Sequence, residues 1–204
     1  QKALLKNILY FFLALASFEI SAQTTAEEYL NSAESKFYLV DMKGAIVDFT
    51  KAIKIDSNYV EAYRKRGIAK ETLKDFSGAI ADYTKAIEVD PNYAFAYCDR
   101  GFAKDKLKDF SGAISDYSKA LEIDPNYARA FHDRGITKGK LKDFSGAIAD
   151  YSKAIRIYPN YATAYFNRGV SKFYLGDMTG ACKDAKKAQE LGDDASILIK
   201  KACN

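Results

Sequence analysis

The sequence has no run of basic residues, no low-complexity tract, no tryptophan and a single histidine. Nucleic-acid binders concentrate positive charge on one face. Here the net charge is +4 with lysines and acids interspersed, so no nucleic-acid partner is expected. Prolines number three, Pro91, Pro125 and Pro159, evenly spaced, so proline serves as punctuation and not as linker material. The longest apolar run, Ile8 to Phe18, has 11 residues where a bilayer span needs about 20. Cys98 and His132 together offer two metal ligands, too few for a site. What is present is a chain of 204 residues, 48% hydrophobic and 28% charged, which is the balance of a globular protein.

That chain repeats itself. The octapeptide LKDFSGAI occurs unchanged at Leu73–Ile80, Leu107–Ile114 and Leu141–Ile148, and PNYA keeps the same 34-residue beat from Pro91, Pro125 and Pro159. Counting back from Pro91 divides the chain into units 26–59, 60–93, 94–127, 128–161 and 162–195. Each reads as two helices. In the second unit the first runs from about Val60 to Leu73. The second starts near Asp75, a favourable N-cap, and ends at about Val89. Ala79, Ile80, Tyr83, Ala86 and Ile87 then share one face of a 3.6-residue period, and Pro91 forbids continuation.

These units resemble tetratricopeptide repeats. The residues that carry the resemblance are Tyr63, Gly67, Leu73, Ala79, Tyr83, Ala86 and Pro91, then Tyr97, Gly101, Leu107, Ala113, Tyr117, Ala120 and Pro125, then Phe131, Gly135, Leu141, Ala147, Tyr151, Ala154 and Pro159. The end units depart from it: Ala33 stands for the glycine, Ser57 for the proline and Ala185 for the aromatic. The resemblance implies an all-α, right-handed α-solenoid of five helix-turn-helix units. A short capping helix at about 195–203 follows, with Leu198, Ile199 and Ala202 covering the end of the stack. It implies a non-catalytic scaffold or adaptor that binds another protein or peptide in a concave groove, with no cofactor.

Carried onto this chain, the groove positions are Arg64, Ile68, Cys98, Phe102, His132, Phe166, Val170 and Phe173, with Phe95 and Arg129 near the rim. Packing between neighbouring first helices is the competing reading of the phenylalanines. The lysine–asparagine pair with which one subtype clamps a terminal carboxylate is absent: Arg64 and Ile68, then Cys98 and Phe102, hold those places. Cys98 and His132 occupy equivalent positions in adjacent units, where a thiol and imidazole would suit nucleophilic chemistry. First helices about 10 Å apart hold them too far for a direct bond, and no oxyanion donor or orienting residue accompanies them. Arg66, Arg100, Arg134 and Arg168 recur against Asp82, Asp116, Asp150 and Asp184, a ladder read as exposed pairs of about 0–1 kcal/mol each.

Lys2 and Lys6, the apolar run and Ser21-Ala22-Gln23 form the pattern of a secretory signal peptide over 1–22, with cleavage after Ala22. An ordinary first helix, or an uncleaved anchor tethering an envelope assembly factor or co-chaperone, are the alternatives. The chain opens on Gln1 and not Met, so residues are expected to precede it. Export places residues 23–204 in the periplasm or outside the cell, with the membrane involved only through an uncleaved segment. It also permits a disulfide between Cys182 and Cys203, which come level if their helices run antiparallel about Asp193. Two separately buried thiols are the other reading.

Overall fold

A computed structural model describes residues 25–203, so the segment read as a signal peptide lies outside the described residues. These residues are all-α: α1 over 25–38, α2 Met42–Ile55, α3 Val60–Thr72, α4 Phe76–Val89, α5 Ala94–Lys106, α6 Phe110–Ile123, α7 Ala128–Lys140, α8 Phe144–Ile157, α9 Ala162–Tyr174, α10 Met178–Glu190 and α11 Ser196–Ala202. They form two compact units, one ending at Pro91 and the other beginning at Asn92. Within the second, each helix from α5 to α11 packs on the next in chain order, and α5, α7 and α9 touch in succession. The fold class is a solenoid of helix-turn-helix repeats.

The octapeptide builds the bend inside each repeat. Lys74 N–H donates to Glu71 C=O (2.8 Å) and Asp75 N–H to Lys70 C=O (2.9 Å), the paired bonds of a Schellman stop. Asp75 then caps α4 by accepting from the Gly78 N–H at 2.9 Å. One residue thus closes one helix and opens the next. Gly78 is required there because a Cβ would lie 2.1 Å from the capping carboxylate. The stop demands a left-handed residue, supplied by Lys74, Lys108 and Lys142 at φ 63–65°, by Gly176 at 83° and, in the first repeat, by Val40 at 64°. A β-branched residue is strained in that region.

The other bend uses side chains of its own. Asp124 accepts from the Asn126 N–H (2.9 Å) ahead of α7, and Asp56 does the same for Asn58 (2.8 Å) ahead of α3, where Ser57 stands for proline. The chain re-enters a helix within four residues.

The core is alanine with one buried aromatic in each of the first four repeats, Phe49, Tyr83, Tyr117 and Tyr151, and Ala185 at that place in the fifth. Ala113, Ala120, Ala130 and Cys98 surround Tyr117, which is 1% exposed. Tyrosine and glycine are partners here and do not fill separate gaps: the Tyr83, Tyr117 and Tyr151 rings lie where a Cβ on Gly67, Gly101 or Gly135 would be. The signature leucines sit elsewhere. Leu73, Leu107, Leu141 and Leu175 are about half exposed at the helix ends, because the Schellman bend turns them outward.

The arginine–aspartate ladder is present, but its aspartates are buried, which corrects the exposed-pair reading. Asp82, Asp116, Asp150 and Asp184 are each 2–4% exposed. Asp150 accepts from Arg134 Nε (2.9 Å) and Nη2 (2.7 Å) and pairs with Lys138 Nζ at 2.8 Å; the other three repeat the pattern with Arg66 and Lys70, Arg100 and Lys104, Arg168 and Lys172. Each guanidinium lies over the aromatic three residues earlier, as Arg134 does over Phe131 at 5.6 Å. A further bond ties repeat to repeat: Arg66, Arg134 and Arg168 donate through Nη1 to the Thr50, Ser118 and Ser152 hydroxyls of the preceding second helix. At the matching place on α10 the hydroxyl is replaced by Lys186. In the first repeat Ser32 stands for the arginine and donates to buried Asp48 at 2.7 Å. Burial disfavours ionised Asp48, but hydrogen bonds from Lys36 and Ser32 outweigh it and hold the carboxyl below its ordinary value.

Two stability predictions follow from these bends and clamps. Val40→Gly removes the strained φ and should stabilise the protein by about 0.5–1 kcal/mol in urea unfolding, after the entropy cost of glycine is subtracted. Arg134→Leu leaves Asp150 with one cation. It should cost about 1–3 kcal/mol, less than a fully buried pair because the arginine and lysine heads reach solvent.

Candidate functional site

The candidate groove residues separate into four groups. Arg64 and Ile68, in the first compact unit, are half-buried on α3, where Arg64 pairs with Glu61 at 3.1 Å. Cys98 and His132 are withdrawn from any groove. Cys98 is fully buried against Ala113, Tyr117 and Ala130, because its position on α5 faces the second helix of its own repeat. His132 is 8% exposed, with its ring stacked on Tyr161 at 4.7 Å. Its Nδ1 lies 3.0 Å from Asp133 Oδ1 and its Nε2 3.1 Å from Asn167 Nδ2. An amide donating to Nε2 leaves the proton on Nδ1, facing the carboxylate.

Cys98 and His132 therefore satisfy separate partners. Burial chiefly pushes the Cys98 thiol up to about 12, and Tyr127 is its hydrogen-bond neighbour. Burial likewise raises Tyr161 to about 12 and moves Tyr117, Tyr127 and Tyr151 upward. A thiol so placed is neither an ionised nucleophile nor accessible. Among the described residues no cluster of three or more His, Cys, Asp or Glu has the arrangement of a metal site.

Arg129 is also committed. It donates to Asp99 Oδ1 (2.8 Å) and pairs with Asp133 (3.3 Å), fastening α7 to α5. Phe95 is exposed at the start of α5 and lies edge-on to Tyr93 and Tyr127, with centroids 5.7 and 5.2 Å away. Phe102 is half-buried with Lys106 over its ring at 4.7 Å. It borders a small hollow of about 80 Å3 that also holds Ile136 and the Asp105–Lys140 pair.

Phe166, Val170 and Phe173 come together. They line one side of a predominantly apolar cavity of about 250 Å3, which Tyr174 extends and α11 completes with Ile197, Leu198 and Lys201; Asp194 stands at its edge. Leu198 is buried, and its Cδ2 would meet a Cβ on Gly169 at 3.1 Å, so the cap helix seats against the glycine of α9. Cys182 on α10 and Cys203 at the end of α11 are joined by a disulfide, with Cα atoms 5.0 Å apart. Sequence reasoning assigned Leu198 to covering the stack and passed over Tyr174, Ile197 and Lys201. Their signal was faint: an apolar residue beside a helix stop, and an amphipathic segment of seven residues.

No helix among the described residues is long and apolar enough to cross a membrane. A family model for the tetratricopeptide repeat matches residues 60–93 and 94–127, and a second, for the TPR repeat, matches 139–176. Comparison with curated proteins gives no match. Among solved structures, the crystal structure of MamA protein is 29% identical with a TM-score of 0.73, over 82% of this chain and 91% of that one. YrrB, a TPR protein with an unusual peptide-binding site, is 21% identical with a TM-score of 0.69, over 86% and 90%. PilW, a type IV pilus biogenesis factor, is 23% identical with a TM-score of 0.77, over 87% and 86%. At these identities the likeness to YrrB and PilW speaks to fold alone.

The buried thiol makes a direct prediction. Iodoacetamide at pH 8 should leave Cys98 unmodified in the native protein and alkylate it fully in 6 M guanidinium, as read by peptide mass spectrometry. Native-state alkylation within minutes would return Cys98 to the list of reactive groups.

Proposed function

The chain belongs to the tetratricopeptide repeat family, and from that premise we propose that it is a non-catalytic scaffold that holds a segment of another protein. The observation that carries this reading is the apolar cavity between α9 and α11, walled by Phe166, Val170 and Phe173. An open cavity of about 250 Å3 has room for one large apolar side chain, and burying such a group contributes about 1.5–3 kcal/mol. That is an anchor and not a whole interface. The exposed ring of Phe95 and the hollow beside Phe102, on first helices of the same compact unit, offer further apolar contacts to an extended segment. Arg129 and His132 serve as structural ties between helices, since their polar atoms already have protein partners. YrrB, which shares the fold, is a peptide binder by its own description; the cavity here supports the same class of activity.

We place the mature protein outside the cytoplasm. The signal-like pattern over 1–22 supports this, and so does a disulfide, a bond that persists in oxidising compartments. Edman sequencing of the secreted or envelope form should begin at Gln23.

The binding reading is tested by affinity capture from the native envelope or culture fraction, comparing wild type with Phe166→Ser and Phe173→Ser. The bound partner should fall by about tenfold or more for each variant, the loss expected when a buried apolar anchor is removed. Thermal unfolding run in parallel separates loss of the anchor from loss of the fold. Equal capture by folded variants would move the partner site away from this cavity.

A further inference from the structure

We propose that the Cys182–Cys203 disulfide assembles the cavity, so that the partner site is present in the oxidised protein and absent from the reduced one. The inference rests on the reading of the cavity as the partner site and adds its regulation.

One wall of the cavity, formed by Ile197, Leu198 and Lys201, belongs entirely to α11. That helix has seven residues, Ser196–Ala202. Isolated helices below about 12–15 residues are marginal in water, so α11 depends on what holds it. Its own apolar packing is limited to three side chains: Leu198 and Ala202 are buried and Ile199 packs partly buried against the same cluster, while Ile197 is 72% exposed. At its N-terminal side the Asp194 carboxylate accepts from the Ser196 N–H at 3.1 Å, in an exposed turn. At its C-terminal side the covalent tie is the bond from Cys203 to Cys182 on α10. The bond closes a segment with a sequence separation of 21, and the conformational freedom it removes from the loosened state is what keeps so short a helix in place. Without it, α11 is covalently joined through the Leu191–Ala195 turn alone, and the packing of Leu198, Ile199 and Ala202 must hold it unaided. Leu198 can then leave Gly169, and the cavity opens into a bare face of α9.

The chemistry is ordinary thiol–disulfide exchange. A thiolate at Cys203 or Cys182 attacks one sulfur of a disulfide oxidant, small-molecule or protein, and expels a thiolate. The second cysteine displaces the remaining half. Two thiols here lose two electrons and two protons, and the oxidant leaves as two thiols. Cys98 does not compete, because it is buried with its thiol protonated. A dithiol reductant reverses each step.

Methyl-labelled full chain, fully oxidised, reduced with a phosphine, and as the Cys182→Ala/Cys203→Ala variant, is titrated with N-acetyl-L-phenylalaninamide. Amide hydrogen exchange is followed in the same samples. In the oxidised protein the Val170 and Leu198 methyls should shift saturably. In the reduced and variant proteins the shifts should vanish. Exchange across residues 196–203 should accelerate by on the order of 100-fold, while α5 to α8 stay protected. Retained shifts together with retained protection of α11 after reduction would overturn the proposal. An oxidised protein that does not bind the probe would count against the partner-site reading alone. In that case exchange decides: faster exchange of α11 on reduction upholds the role of the bond, and unchanged exchange defeats it.

Discussion

The fold depends on a carboxylate taken out of water in every repeat. Asp82, Asp116, Asp150 and Asp184 are buried at the junction of two helices, and an ionised group there is costly unless it is fully paired. Each is paired by a forked arginine and a lysine from the first helix of its own repeat. The planar guanidinium fixes both distance and rotation between the helices, which a hydrophobic contact does not. Arg66, Arg134 and Arg168 continue to the preceding second helix through a hydroxyl, and each of the four arginines covers an aromatic ring with its face. Alanine and glycine then bring the helices close, and the tyrosine fits against the glycine because nothing else is there. Polar geometry specifies the angle, and small residues supply the proximity.

That division explains where variation is tolerated. Residues of the clamp and the bends recur with the repeat, since each repeat solves the same geometric problem. Positions that look outward on the first helices differ from one repeat to the next: Phe95, Arg129 and Thr163 at one register, Phe102, Ile136 and Val170 at another. Phe102 and Ile136 border a small hollow, whereas Val170 on α9 lines a larger apolar cavity because a different element, the cap helix, stands over it. The proposed site thus depends on the contact between α9 and the cap helix.

Much of the fold was legible in the sequence, because the physics of the repeat is local. Asp75 as a cap, proline as a stop and Gly67 as a close approach all act within a few residues or across one helix pair. The errors concern solvent exposure. Leu73 is not among them: it ends α3 as the pattern implies, and the left-handed turn after it points it away from the core. Asp150 looks like a surface acid and is buried, since the arginine that neutralises it lies 16 positions earlier in a regular lattice. Cys98 was placed on a groove by register, although a small residue at that register serves equally well against the facing tyrosine. The cavity was half visible: Phe166, Val170 and Phe173 could be named, but its far wall depends on the angle at which a seven-residue helix returns, which no periodicity encodes.

An array of nearly identical modules carries a hazard that an irregular domain does not: any copy could extend any other. The last hydroxyl position of the ladder, occupied by Lys186 where Thr50, Ser118 and Ser152 stand in earlier repeats, bears on this. A further module docking there would bring its arginine against an ammonium instead of an acceptor. The sequence grammar that permits stacking therefore breaks its own rule at α10, where a charge replaces the acceptor that the earlier repeats present to the next arginine.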